Sequence, residues 1–300
     1  MNHYTTLDPN TLDQAEVHRH LLSAVAPRPI CFASTINTEG EVNLSPFSFF
    51  NVFSTHPPTL IFSPARRARD GSTKDSLNNA QQVPEVVINI VNHAIVQQMA
   101  LSSHPYPKKV DEFKKSGLTP IQSKEVKPPR VGESPASFEC KVEKIIPLGD
   151  RGGSGNLIFC RVLLIHIQNR FLDPQGYLDP YTLDLVGRLG KNTYIRATPE
   201  SLFELESTGQ ALGMGVDQLP QSIRLSQVLT GNDLGRLGQL SQMPPATEIN
   251  KLQESEVFQK ICRQGDLRSK RLKLHRLAQK ILEKNDPMEA LRILMFADQL

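Results

Sequence analysis

Between Ile30 and Arg188 the chain is cut into short apolar, β-branched runs, and the connections between most of them are too short to hold a crossover helix. Ile30–Ile36 leads through the turn residues Asn37-Thr38-Glu39-Gly40 into a second run, Val42–Phe53. Thr59–Phe62 follows the Pro57-Pro58 break, and Glu85–Val91 follows Pro84. Two longer runs, Ala136–Leu148 and Asn156–Gln168, flank Asp150-Arg151-Gly152-Gly153-Ser154-Gly155, which reads as a hairpin turn, and Asp184–Arg188 reads as a last short strand. Helical stretches between them are brief: Leu12–Ser23, Lys74–Gln81, Ala94–Ser102, and Asp111–Lys115 stopped by Gly117. The pattern predicts a mainly β fold, a β-barrel with short helices, and not a doubly wound parallel sheet. Ser103–Pro135 is Pro-rich and irregular, and a loop of that length in a compact domain is often functional.

The texture changes after Tyr194. Thr198-Pro199-Glu200 is a helix start, with Gly209 as its expected stop, and residues 210–250 show no clear period. From Glu254 onward the chain reads as helices. Leu267, Leu274, Leu277 and Ile281 fall on one face, and Asp286-Pro287-Met288-Glu289 opens the last helix. Two domains are expected: residues 1–197, and a helical extension over 198–300.

Charge separates the same two parts. Residues 251–300 hold 11 Lys and Arg against 7 Asp and Glu, whereas the other 250 residues are nearly balanced, at 23 against 24. That argues against nucleic-acid binding by the protein as a whole. It leaves only the basic stretch Arg268–Arg276, read as a helix packed on its Leu face with a solvated basic side. No run of about 18 apolar residues suggests a membrane span, and MNHYTTLDPN lacks the basic and apolar regions of a signal peptide, so a cytoplasmic protein is expected. Cys31, Cys140, Cys160 and Cys262 have no metal-ligand spacing and are expected to be reduced, the first three buried. Nucleotide-binding glycine motifs, nucleophile elbows and zinc-protease motifs are all missing.

Two clusters carry chemistry. In the first, Asn43, Ser45 and Phe47 alternate with Leu44, Pro46 and Ser48, and Phe49, Phe50 and Asn51 follow. Amides, hydroxyls and aromatics so mixed suit a flat amphipathic ligand, or else a strand whose phenyl rings enter the core. The second is Ser63-Pro64 with Ser72-Thr73-Lys74-Asp75-Ser76, hydroxyls and a lysine at a helix start, which suits an anion or plain N-capping. Arg28, between Pro27 and Pro29, is a candidate second phosphate ligand or a solvated surface residue.

Taken in order, Ala26-Pro27-Arg28-Pro29-Ile30, the Val42–Ser54 segment, Ser63-Pro64, Lys74-Asp75-Ser76, Pro105-Tyr106-Pro107, Val110-Asp111-Glu112-Phe113, Gly117-Leu118-Thr119-Pro120, Pro128-Pro129-Arg130-Val131, Glu133-Ser134-Pro135 and Val186-Gly187-Arg188-Leu189-Gly190 resemble the flavin-reductase-like, FMN-binding split-barrel proteins, flavoredoxins included. The likeness spans roughly residues 20–195. It implies non-covalent FMN, a homodimer with the flavin near the subunit interface, and hydride transfer from NADH or NADPH to flavin N5. An FMN-holding electron carrier that docks a protein partner, and a non-catalytic barrel, are the alternatives. By the same resemblance Asn43, Ser45, Pro46, Phe47, Ser48, Phe49 and Asn51 line the flavin, and Ser63, Ser72, Lys74, Asp75 and Ser76 surround its phosphate. Ser102, His104, Tyr106 and Arg188 fall on the substrate side. Ser76 stands where many members have Thr, and His104 where a small residue is common. No metal is expected.

Overall fold

The computed structural model describes residues 3–107, 109–205, 212–263 and 265–300. The chain forms two compact units, Met1–Phe203 and Glu204–Leu300.

The first unit opens with helix α1 (Gln14–Ala24), which Asp13 and Glu16 close in a reciprocal capping box. Strands β1 (Cys31–Ile36), β2 (Val42–Phe47), β3 (Phe50–Thr55) and β4 (Pro58–Phe62) follow, then α2 (Asp75–Gln82) and β5 (Glu85–Ile90). Helices α3 (Val96–Ser102) and α4 (Glu112–Ser116) lie in a long excursion between β5 and β8, residues 91–135, with the two-residue strands β6 (Pro120–Ile121) and β7 (Arg130–Val131). Asp111 caps α4, and Gly117 ends it in the left-handed conformation, φ 64°. The long strands β8 (Ala136–Pro147) and β9 (Asn156–Ile167) form the expected hairpin; α5 (Pro180–Leu183) and a small hairpin, β10 (Val186–Arg188) with β11 (Tyr194–Arg196), complete the unit.

Seven strands make one antiparallel sheet in the order β2-β1-β5-β8-β9-β4-β3. Sequence reading ran Val42–Phe53 together as one strand. The structure breaks it at Ser48 and Phe49, and the two halves become opposite edges of the sheet. Pro46, which has no N–H to give to a ladder, is tolerated because β2 is an edge strand. The sheet has apolar residues on both faces. One face holds Cys31, Ala33, Phe47, Phe62, Ile88 and Ile158, closed by Leu77 and Ala80 of α2. The other packs Phe32 and Leu44 against Met99 and Phe113 of the excursion.

The second unit has helices α6 (Gln221–Arg224), α7 (Gly231–Gly238), α8 (Ala246–Lys251), α9 (Glu256–Arg263), α10 (Leu267–Glu283) and α11 (Pro287–Gln299). Its core gathers Leu237, Leu274, Ala278, Leu282, Leu291 and Leu294. Leu274, Leu277 and Ile281 face that core as their spacing predicts, but Leu267, in the first turn, stays 47 % exposed. The helix expected after Thr198 is only a three-residue 3₁₀ turn, Pro199–Ser201; its expected stop, Gly209, lies outside the described residues. No helix among the described residues is long and apolar enough to cross a membrane.

Candidate flavin-binding site

The site is organised by one loop, residues 63–74, that leaves β4 and enters α2. It begins at the break between β2 and β3, where the Ser63 amide donates to the Phe49 carbonyl at 2.8 Å. The loop then folds on itself. Arg67 N–H donates to Ser72 O at 2.9 Å, Gly71 N–H to Arg67 O at 2.8 Å, and the Arg66 guanidinium to Gly71 O at 3.0 Å. Asp70 accepts from the amide and hydroxyl of Ser72 at 2.9 and 2.5 Å, and from Arg69 at 2.9 Å. Those donors hold its carboxyl down to about 2, the Ser72 hydroxyl contributing most.

The β8–β9 turn supports the loop from outside. Arg66 N–H donates to Ser154 O at 2.9 Å, and Gly153 N–H to Arg66 O at 3.0 Å. Glycine is needed there for room as much as for the turn: a Cβ on Gly152 would lie 2.7 Å from Ala68 O, and one on Gly155 2.6 Å from Ser63 Oγ.

At the far end of the loop, helix α2 starts without a side-chain cap, since its N-cap residue is Lys74. Antiparallel pairing sets Asn43 opposite Thr35, Ser45 opposite Ala33 and Phe47 opposite Cys31, so all three β2 side chains share the face that α2 covers. There Asn43 Nδ2 donates to Ser76 Oγ at 2.9 Å, and the Lys74 ammonium sits 5.0 Å from the centre of the Phe47 ring. Burial pushes the Lys74 amine down, and the nearby positive charge of Arg67 adds to that. Arg67 also donates to Thr73 O and lies 3.8 Å from Asp75. Two cations beside an uncapped helix start, answered by one carboxylate, form a site that favours an anion.

A cavity of about 920 Å³ opens at the other end of the loop. Val17, Leu21 and Leu22 of α1 line it, as do Phe49, Leu148 and Leu157, with Asp13, Gln14, His18 and Arg66 as its polar lining. Ser63, 6 % exposed, also lines it, and its Oγ has no hydrogen-bond partner. A buried hydroxyl in that state costs about 1–3 kcal/mol unless a ligand satisfies it. A flat ring in the cavity and a phosphate monoester at α2 fit these two ends.

Not every expected residue joins this arrangement. Phe47 is a core residue, 5.3 Å from the ring of Phe62, and touches the site only through Lys74. Arg28 is buried and not the solvated surface residue that was one expectation for it, and its guanidinium already donates to Leu22 O at 2.6 Å, Val25 O at 2.5 Å and Leu189 O at 3.0 Å. Arg188 is likewise occupied, bonded to Tyr194 Oη at 2.6 Å and to Lys191 O at 3.0 Å. Ser102 is buried and its hydroxyl turns back to Met99 O at 2.7 Å. Ser72 serves Asp70. Asn51 is exposed, and its Oδ1 accepts from Val52 N–H at 2.8 Å. Ser45 and Pro46 of β2, and Ser48 just after it, are half-buried. His104 is exposed, 6.2 Å from the Tyr106 ring. Tyr106 lines a second cavity, of about 280 Å³, together with Asn43 and Asp75.

Residues 23–180 match the family model for the flavin reductase like domain, more than half of the chain. The chain belongs to the flavin reductase-like family. Its flavin reductase-like region is 38 % identical over 188 residues to an uncharacterised protein of Aquifex aeolicus, covering 63 % of this chain and 93 % of that one. Nitrilotriacetate monooxygenase component B of Bacillus cereus is similar in structure, with a TM-score of 0.63 at 27 % identity, over 69 % of this chain and all of that one. The 2-nitrobenzoate 2-nitroreductase of Pseudomonas fluorescens shares the fold, with a TM-score of 0.60 at 23 % identity, over 70 % and 100 % of the two chains. Membership in the flavin reductase-like family makes the barrel unit a flavin-related oxidoreductase fold.

Arg67, Leu148 and the place of α1 at the cavity escaped the sequence reading, although the helix itself was expected over Leu12–Ser23. Arg67 stood in a run with Arg66 and Arg69, and nothing local distinguishes the one that turns toward Lys74. Leu148 had shown only as the end of a strand.

Proposed function

We propose that this protein holds FMN non-covalently in the barrel unit and works as an NAD(P)H:flavin reductase. The observation that carries this reading is the desolvated Lys74, with Arg67 beside it, at the uncapped start of α2, joined by one loop to a ring-sized apolar cavity. Lys74, the Ser76 hydroxyl and the free amides of the first turn would hold the phosphate. Phe49 and the α1 leucines would pack the ring, and Ser63 Oγ would bond to its polar edge. Bound FMN supplies a ring that takes up a hydride at N5. The protein's share is positioning, which agrees with the missing acid–base motifs.

A homodimer belongs to the same reading. Edge strand β3 exposes Val52 and Phe53, 58 % and 64 %, and β9 exposes Ile165, 57 %. Apolar side chains along an open sheet edge call for a cover, and a second copy supplies one. A second reading, an FMN-holding electron carrier, is favoured by the exposed cations Arg268, Lys273, Arg276 and Lys280 on α10, which suit docking to an acidic protein. A non-catalytic barrel is the third.

Anaerobic visible spectra separate the three. Flavin bands that bleach on adding NADH or NADPH are expected. Bands that bleach only with a chemical reductant would favour the carrier, and a protein that takes up no FMN at micromolar concentration would overturn both flavin readings.

A further inference from the structure

The smaller cavity, about 280 Å³, differs in chemistry from the ring cavity. Tyr106 and Pro107 from the excursion, with Val42 and Val110, give it a flat apolar wall. Around that wall stand the carboxamides of Asn78, Gln81 and Gln82. Asn78 Oδ1 accepts from Thr73 Oγ1 at 2.7 Å, while among the described residues the side chains of Gln81 and Gln82 have no hydrogen-bond partner. Three carboxylates, Glu41, Asp75 and Glu112, also line it; burial pushes the Glu112 carboxyl up, although it accepts from Leu44 N–H at 3.1 Å. Lys109 is the one cation among the described lining residues. It is already taken, 3.1 Å from Glu41 and 3.5 Å from Glu39.

Such a lining opposes phosphates and suits a neutral ligand rich in donors and acceptors. Carboxamides pair with an adenine edge, where a donor and an acceptor lie side by side, and an aromatic ring stacks on its face. Carboxylates accept from ribose hydroxyls. Asp75 and Asn43 belong both to this cavity and to the anion site at α2, so the ligand's phosphate and its nucleoside have neighbouring places.

We infer that the 280 Å³ cavity is an adenosine site for a dinucleotide whose ribose carries no 2′-phosphate. The inference rests on the nucleotide-phosphate reading of the α2 start. Two molecules offer that adenosine, the donor NADH and the flavin FAD. If the donor supplies it, NADPH is disfavoured, because its extra phosphate would meet Glu41, Asp75 and Glu112.

Calorimetric titration of the full chain with FMN, AMP and adenosine 2′,5′-bisphosphate tests this. AMP is expected to bind, and the 2′-phosphorylated analogue at least tenfold more weakly. Asn78→Ala and Gln82→Ala should each lower AMP affinity at least fivefold and leave FMN affinity within twofold. Displacement of AMP by NADH in the FMN-free protein, with no displacement by FAD, would make NADH the source. FAD binding at least tenfold tighter than FMN, with the gain erased by Gln82→Ala, would make it FAD. FMN binding without AMP binding, or equal affinity for AMP and its 2′-phosphorylated analogue, overturns the adenosine site. AMP binding without FMN binding would overturn the flavin reading instead and leave the adenosine site standing.

Discussion

Ser63 and Lys74 are each held in a state that a bound nucleotide would relieve. Ser63 Oγ is buried without a partner, so Ser63→Ala should keep or raise the thermal midpoint of the free protein while weakening FMN by about 1 kcal/mol. A purely structural serine would lose stability instead, and a melting curve with and without FMN distinguishes the two. Lys74→Ala should weaken FMN roughly 10- to 100-fold, in line with about 1.5–3 kcal/mol for a charged hydrogen bond, with partial rescue by Lys74→Arg. The measurement is a flavin titration, and unchanged affinity in Lys74→Ala would remove the lysine from the site. The sequence singled out both residues as candidates, Lys74 because a lysine at a helix start stands out locally and Ser63 through the family resemblance. It could not reveal that Arg28 spends its guanidinium on three carbonyls, since one of them, Leu189 O, comes from 161 residues away.

At the level of elements, the loop 63–74 and the β8–β9 turn act as a pair. Gly152→Ala should cost about 1–3 kcal/mol, because the new Cβ would meet backbone at Ala68 and backbone cannot step aside. Chemical denaturation with FMN absent is the check, and an unchanged midpoint would show the loop to be free to move. The Asp70 turn gives a pH signature. Its carboxyl is lowered from 3.8 to about 2, so its contribution to the loop is complete above about pH 4 and is lost as pH falls toward 2. A carboxyl-carbon NMR titration should find that midpoint near 2, and a midpoint near 4 would mean that the Ser72 bonds are not kept in solution. Strand lengths, the hairpin turn and the caps at Asp111 and Asp286 were readable because they depend on neighbours in sequence. The division of Val42–Phe53 was not, because pairing with β1 on one side and β4 on the other is decided by distant strands.

In the whole molecule, the proposed homodimer turns on the open edge at β3. Phe53→Glu puts a charge where a second copy is expected, so light scattering should find a dimer for the parent and a monomer for the variant; a monomeric parent would withdraw the homodimer. The family resemblance, roughly residues 20–195, and the matched family region, 23–180, both stop before the helical unit. Helices α6 to α8 went unread because their apolar residues keep no clear period, and they hold Ile223, Leu237 and Ile249 in a core assembled from six short segments and the two long helices.

The thiols of Cys31, Cys140 and Cys160 lie in the barrel core with no measurable exposure, and burial pushes all three up. A disulfide reagent needs a thiolate and a path to it. While the barrel stays shut, the protein supplies neither. In a Cys262→Ser background, the rate at which thiols are modified therefore counts how often the barrel opens, and a nucleotide that grips the closed barrel should slow that clock in proportion to how tightly it is held.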